Sequence, residues 1–341
     1  MTATAQALRS DGRSPGLPGR RKKRARGFGP SGMVWLVCRQ HRVAFLLLLV
    51  AAAATTVGLA WLAQEASSAV AAVEGPKPSA EDIAVLDAAY LRLELLGLAL
   101  AGLPVIIGVF IGAPLFAGDL ETGTAKFVGV QSYGRWSWVA TKLGVAALVA
   151  AVTALSTGIA MKALWTPLVN HSAMGTDFTG AGGFDTTGPV TVALAVLGLL
   201  IGAAAGLLMR RTLPAMVVTL IALLTVKIAW SQQRMIFADT VTKTTGGGRF
   251  GDGDTPQIPV SAVEIDTSYV ADDGSLHGWG TCVDTKDTTA CLRREGIVGW
   301  SVEYLPYSHL GAMQWAATGA LAGLILLTTG VLVYAARRAL R

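Results

Sequence analysis

The chain has 341 residues, 52% of them hydrophobic, with 40 glycines, 15% charged residues and a net charge of +6. Soluble domains carry about 45–50% apolar residues, glycine included, and about 25% charged ones. These figures exclude a disordered chain, a disulfide-only mini-protein and an ordinary soluble enzyme, and they fit a polytopic membrane protein with one modest aqueous domain.

Residues 1–30 are rich in Gly, Pro, Ser and Arg and read as a disordered basic tail. The run Arg20-Arg21-Lys22-Lys23-Arg24-Ala25-Arg26 reads as a topology determinant that touches anionic lipid, with no nucleic acid as partner. Six acid-free apolar stretches follow, at residues 43–64, 95–117, 143–161, 189–208, 213–230 and 315–336. A hydrocarbon core about 30 Å thick takes about 20 helical residues, so each is expected to cross it. A helix is the expected form, because it satisfies its own backbone groups where lipid cannot. The first stretch is too long, and begins too late, for a signal-peptide core. Residues 81–95 are amphipathic and are expected to lead into the second span from the membrane surface. Pro104 should bend or loosen that span. Small residues repeat at four positions in Gly108 and Gly112, in Gly198, Gly202 and Gly206, and in Gly319 and Gly323, spacing suited to close helix packing. Lys227, near the end of the fifth span, reads as snorkelling to the interface.

With the N-terminus in the cytoplasm, the cytoplasmic segments hold 18 Lys and Arg against three acids. The external segments hold nine Lys and Arg against 19 acids. This asymmetry obeys the positive-inside rule and puts both termini in the cytoplasm of a multi-pass protein of the cell membrane. The expected fold is an all-α integral membrane protein of six transmembrane helices, with a small mixed extracytoplasmic domain between helices five and six. Its parts are the tail at 1–30, a cytoplasmic N-terminal helix and five spans at 31–230, the extracytoplasmic domain at 231–314, and the sixth span with its tail at 315–341.

Within the external domain, residues 244–256 read as a disordered entry, and 258–265 and 297–304 as strands. Asp252 and Asp254 lack the ligand series of a calcium loop and read as a solvated turn. Cys282 and Cys291 fall on the external side, where a disulfide can persist, while Cys38 falls inside. The alternative for that pair, a metal site, lacks clustered further ligands. Asn170-His171-Ser172 forms an external glycosylation sequon. No phosphate-binding loop, zinc-protease motif or nucleophile elbow occurs. The expectation is therefore a chain that is not an enzyme and needs no cofactor. The one sizeable cytoplasmic connection, 118–142, is where a cytoplasmic partner must bind; Gly123 can break a helix there.

The segment Gly112-Ala113-Pro114-Leu115-Phe116-Ala117-Gly118-Asp119-Leu120-Glu121-Thr122-Gly123-Thr124, followed by Gln131-Ser132 and by Arg135, Trp138 and Lys142, resembles the permease subunits of ABC type-two exporters, most of all those of actinobacteria. Tyr304-Leu305-Pro306-Tyr307-Ser308 and Gln314 are similar to that family's approach to the last span. Gly118 stands where the family usually has arginine, and Asp119 where it usually has glutamate. The resemblance implies a helix near 35–43 before the first span. It also implies pairing with a second permease copy or paralogue and with two separate ABC ATPase subunits, and outward transport driven by ATP. It places a coupling helix in 118–142, with Asp119, Glu121, Gln131 and Arg135 as polar contacts and Gly123 and Thr124 shaping the turn. A second reading from another class is a non-transporting sensor or mechanotransmission protein, whose external domain binds a ligand or envelope partner.

Overall fold

A computed structural model describes residues 32–75, 79–123, 134–171, 177–245 and 256–339. Among the described residues, six helical segments long and apolar enough to cross a membrane run in alternating directions. A short helix α1 (Met33–Gln40) precedes them, bends at His41 and continues as α2 (Arg42–Val73), the first span. The second span is composite: α3 (Ala80–Ala101), α4 (Leu103–Ile107), a π-helical turn (Gly108–Gly112) and α5 (Ala113–Glu121). Then come α6 (Arg135–Leu168), α7 (Gly188–Met209) and α8 (Thr212–Gln233). After the sheet that follows them, α10 (Leu310–Ala339) is the sixth span. One end of the bundle carries the sheet and is called the sheet end; the other carries α1 and is called the basic end.

Sequence chemistry explains the irregular second span. Residues 81–95 do lead into the second span, within an α3 that runs unbroken from a capping box in which Ser79 and Asp82 satisfy each other's backbone N–H groups. The helix loosens at Gly102 just before Pro104, as the missing proline N–H predicts. Pro114 in turn cannot bond to Phe110, and the turn before it widens to the π form.

The most deeply buried span is α7. Its glycine row meets the second span backbone to backbone. A Cβ on Gly198 would run into the Pro104 carbonyl oxygen, and one on Gly206 into that of Ala113. At Gly202 the clash with the Gly108 carbonyl would be closer still. Gly108 and Gly112 return the contact, whereas Gly319 and Gly323 have nothing within 4 Å. Among the described residues the two large apolar cores of the bundle lie one toward each end: Leu93, Met161, Phe178 and Phe184 centre the first, and Leu115, Phe116, Trp138 and Leu199 the second. Leu47, Val57, Leu98, Leu148, Ile221 and Leu326 face outward, as a lipid-facing surface requires.

The sheet between the fifth and sixth spans is antiparallel, in the order β1-β4-β2-β3. Its strands are β1 (Val241–Thr245), β2 (Val263–Ala271), β3 (Leu276–Gly278) and β4 (Ile297–Leu305). The second strand starts at Val263, five residues after the expected 258, because Pro256 and Pro259 cannot donate to a ladder. The polar β1 pairs along β4 from Val241–Tyr304 to Thr245–Trp300, so Thr244 and Thr245 belong to a strand. Residues 246–255 of the expected disordered entry, Asp252 and Asp254 among them, lie outside the described residues, as does the tail expected at 1–30. The short helix α9 (Thr288–Arg294) is capped by the Asp287 carboxylate, which accepts from the Ala290 N–H. Its Leu292 packs on Tyr269, Ala271 and Ile297, and a Cys282–Cys291 disulfide ties it to the preceding loop. The last strand passes into α10 through a single 3-10 turn, Tyr307–His309, so the domain sits directly on the bundle.

Candidate functional site

The connection expected at 118–142 is shorter than its sequence suggested. Helix α5 continues through Glu121 and α6 begins at Arg135, leaving residues 122–134 between them at the basic end. Of these, Thr124 and Gln131 lie outside the described residues. Gly123 adopts φ +74° immediately after α5, a backbone geometry that favours glycine and ends the helix. Arg135 is the first residue of α6 and is exposed.

The two helix ends are locked from inside. Lys142, two turns into α6, is fully buried. Its ammonium donates 2.9 Å to the Leu115 carbonyl and forms an ion pair with Asp119, which also accepts from the Gln40 amide. The ammonium lies 5.1 Å from the Trp138 ring centre and 6.0 Å from that of Phe116, and these two rings pack edge to face. One buried knot thus joins α1, α5 and α6. Its members Phe116, Asp119, Trp138 and Lys142 all come from the stretch that carried the family resemblance. His41 sits beside it. Burial, followed by the nearby Lys142 charge, pushes its imidazole down to about 4 against the pull of Asp119, so it is neutral at physiological pH.

Glu121 faces the other way. It is exposed, and one carboxylate oxygen accepts from the Thr212 N–H at 2.9 Å and the Thr212 hydroxyl at 2.8 Å. A carboxylate on the first turn of α8 complements the helix dipole and satisfies an otherwise unpaired N–H. Arg210 donates to the Arg338 carbonyl at 3.2 Å, so the short α7–α8 turn is tied to both α5 and α10. Among the sequence-derived site residues, Asp119 turns inward, Glu121 caps a neighbouring helix and Arg135 opens α6.

A second polar cluster lies at the sheet end. Residues 177–187 fold back among the spans, burying Phe178, Phe184, Asp185, Thr186 and Thr187. Asp185 accepts from the Lys227 ammonium at 2.7 Å and from the Trp230 indole at 2.9 Å. Lys227 therefore does not snorkel: it answers a buried carboxylate 42 residues away. Gln314, buried in α10, donates to the Phe184 and Thr187 carbonyls at 3.2 and 3.0 Å. Sequence reasoning missed this cluster because Asp185 stands in a Gly- and Thr-rich stretch that resembles a solvated loop. The one available signal was a lysine inside an otherwise uncharged span.

The family model described as ABC-2 membrane transporter related matches residues 43–234, from the first span to the end of the fifth. No curated protein and no solved structure shows significant similarity to the chain.

Proposed function

Because the chain belongs to the ABC-2 membrane transporter related family and is thereby a multi-pass membrane component of ABC-2 transport, we infer that it is the permease subunit of an ATP-driven exporter. In this reading it lies in the cell membrane with its basic end in the cytoplasm, dimerises with a copy or paralogue and works with two separate ATPase subunits. Residues 118–142 receive the ATPase stroke, with Glu121, Gly123, Thr124, Gln131 and Arg135 at or beside the contact. Asp119 acts from within, holding the two helix ends at a fixed spacing.

The observation that carries this reading is the lock on either side of residues 122–134. A segment that transmits a push needs rigid attachments. Here the two attachments, α5 and α6, are fixed to each other by the buried ion pair, and α5 is fixed in turn to α8 by the Glu121 cap. Movement of the segment would then displace spans two, three and five together. Family membership supports a transport role without catalysis by the chain itself.

Replacing Glu121 and Arg135 by alanine should lower recovery of the ATPase subunit with the tagged permease from native membranes, while membrane insertion stays unchanged. Undiminished recovery would remove both residues from the joint. The external sheet domain, the one feature that favours a sensing protein, calls for a transport assay. In vesicles reconstituted with the ATPase, ATP should drive amphipathic cargo across the bilayer; active ATP hydrolysis without movement of any tested cargo would favour sensing.

A further inference from the structure

Lys162 is the residue that neither reading uses. It is exposed near the sheet end of α6, 27 residues and thus about 40 Å from Arg135, which sets it at headgroup level. Among the described residues its ammonium has no hydrogen bond or ion pair, unlike those of Lys142, Lys227 and Lys243.

Below Lys162 lies a groove of about 720 Å³, floored by α7 and walled by α6 and α10. Its floor is small or branched, with Pro189, Val192 and Ala193. Ile159 and Trp315 line its walls and are 63% and 68% exposed, so the groove opens sideways into the bilayer. Along α10 it runs from Trp315 to Ile325, ten residues or about 15 Å into the hydrocarbon. The first turn of α7 lies at the mouth without any side-chain cap, so its positive dipole end adds to the Lys162 charge. Trp315 stands at the same level, where aromatic residues anchor to headgroups.

We propose that this groove is a binding site for an anionic phospholipid from the leaflet on the sheet side, with its phosphate on Lys162 and the α7 N-terminus and one acyl chain along Val192 toward Ile325. Hydrocarbon already bathes the groove, so the chain gives little selectivity. The cation without a counter-charge at the mouth gives it, by favouring a lipid with net negative charge over a zwitterionic one. The site is independent of the export reading, since it needs only a bilayer around the six spans.

The test uses the full chain in mild detergent, equilibrated with phosphatidylglycerol or phosphatidylcholine of identical acyl chains, with retained lipid counted by native mass spectrometry. The wild type should retain phosphatidylglycerol in preference. Lys162→Gln should cut that preference about fivefold, the scale of one cation at an anionic surface, while Lys162→Arg should keep it. Val192→Phe, which fills the floor, should lower phosphatidylglycerol retention with Lys162 intact; if that variant does not fold, the Lys162 pair decides alone. Equal retention of the two lipids, or a preference unchanged in Lys162→Gln, would overturn the proposal. Displacement of the lipid by glycerol phosphate alone would overturn the part given to the groove. Disulfide cross-linking of Ile159→Cys between two copies in native membranes would assign the face to a second subunit instead.

Discussion

An ammonium taken out of water loses several kcal/mol of solvation unless a carboxylate and further acceptors replace it. Lys142, with no exposed surface, has Asp119, the Leu115 carbonyl and two aromatic faces. Such a pair adds little net stability over an apolar substitute, but breaking it leaves one charge buried alone. What it contributes is register, since the pair forms only when α5 and α6 stand at one relative height. Asp119→Asn or Lys142→Met alone should therefore destabilise the fold by about 3–5 kcal/mol. The double variant Asp119→Leu with Lys142→Met should recover most of that loss. Thermal loss of the monodisperse gel-filtration peak in detergent measures all three. Equal losses in the singles and the double would deny the pair its mutual dependence. Both residues were visible in the sequence as members of a family-like motif, and their burial was not. A charge 23 residues from its partner, at the edge of an apolar run, reads as interfacial until tertiary contact puts both inside. Asp185 and Lys227 escaped for the same reason.

At the scale of elements, the six spans were legible because lipid makes the pattern crude: a helix must be long, apolar and free of acids to cross. Their ends were less legible. Polar residues such as Asp119 and Lys142 extend the helices past the apolar stretches once they are paired, which is why the expected connection contracted. The strand β1 was missed because Val-Thr-Lys-Thr-Thr has no apolar alternation, and its pairing comes from the neighbouring β4. Glycine spacing exposed three small-residue faces but not their partners. Only the α7 face and its counterpart on the second span meet another backbone; the α10 face meets nothing within 4 Å. Gly202→Val should consequently destabilise the bundle by at least the ~1–3 kcal/mol typical of overpacking, because the obstacle is backbone that cannot swing aside. Gly319→Val and Gly323→Val should leave it unchanged. Melting of the three purified variants compares them directly, and an intact Gly202→Val would show that spans two and four are not in that contact.

The whole molecule is polarised by charge. Alternating helix directions bring Arg39, Arg42, Arg135, Arg210, Arg211, Arg337 and Arg338 to one end, although they are scattered over some 300 positions of the chain. Among the described residues, the acids at that end are Asp119, neutralised by Lys142, and Glu121, which caps a helix. The opposite end carries the acidic sheet domain and the Cys282–Cys291 disulfide. Charge and redox chemistry are independent arguments, and both support the proposal that the basic end lies in the reducing cytoplasm. Impermeant maleimide added to intact cells should therefore miss Cys38, and should reach Cys282 and Cys291 only after a reductant has opened their bond. Cys38 is half-buried, so Arg337→Cys supplies an exposed reporter at the same end, expected to label only after the membrane is permeabilised. Labelling of Arg337→Cys in intact cells would invert the topology. It would carry residues 122–134 to the outer face, beyond the reach of any cytoplasmic ATPase, and the export reading would fall with it.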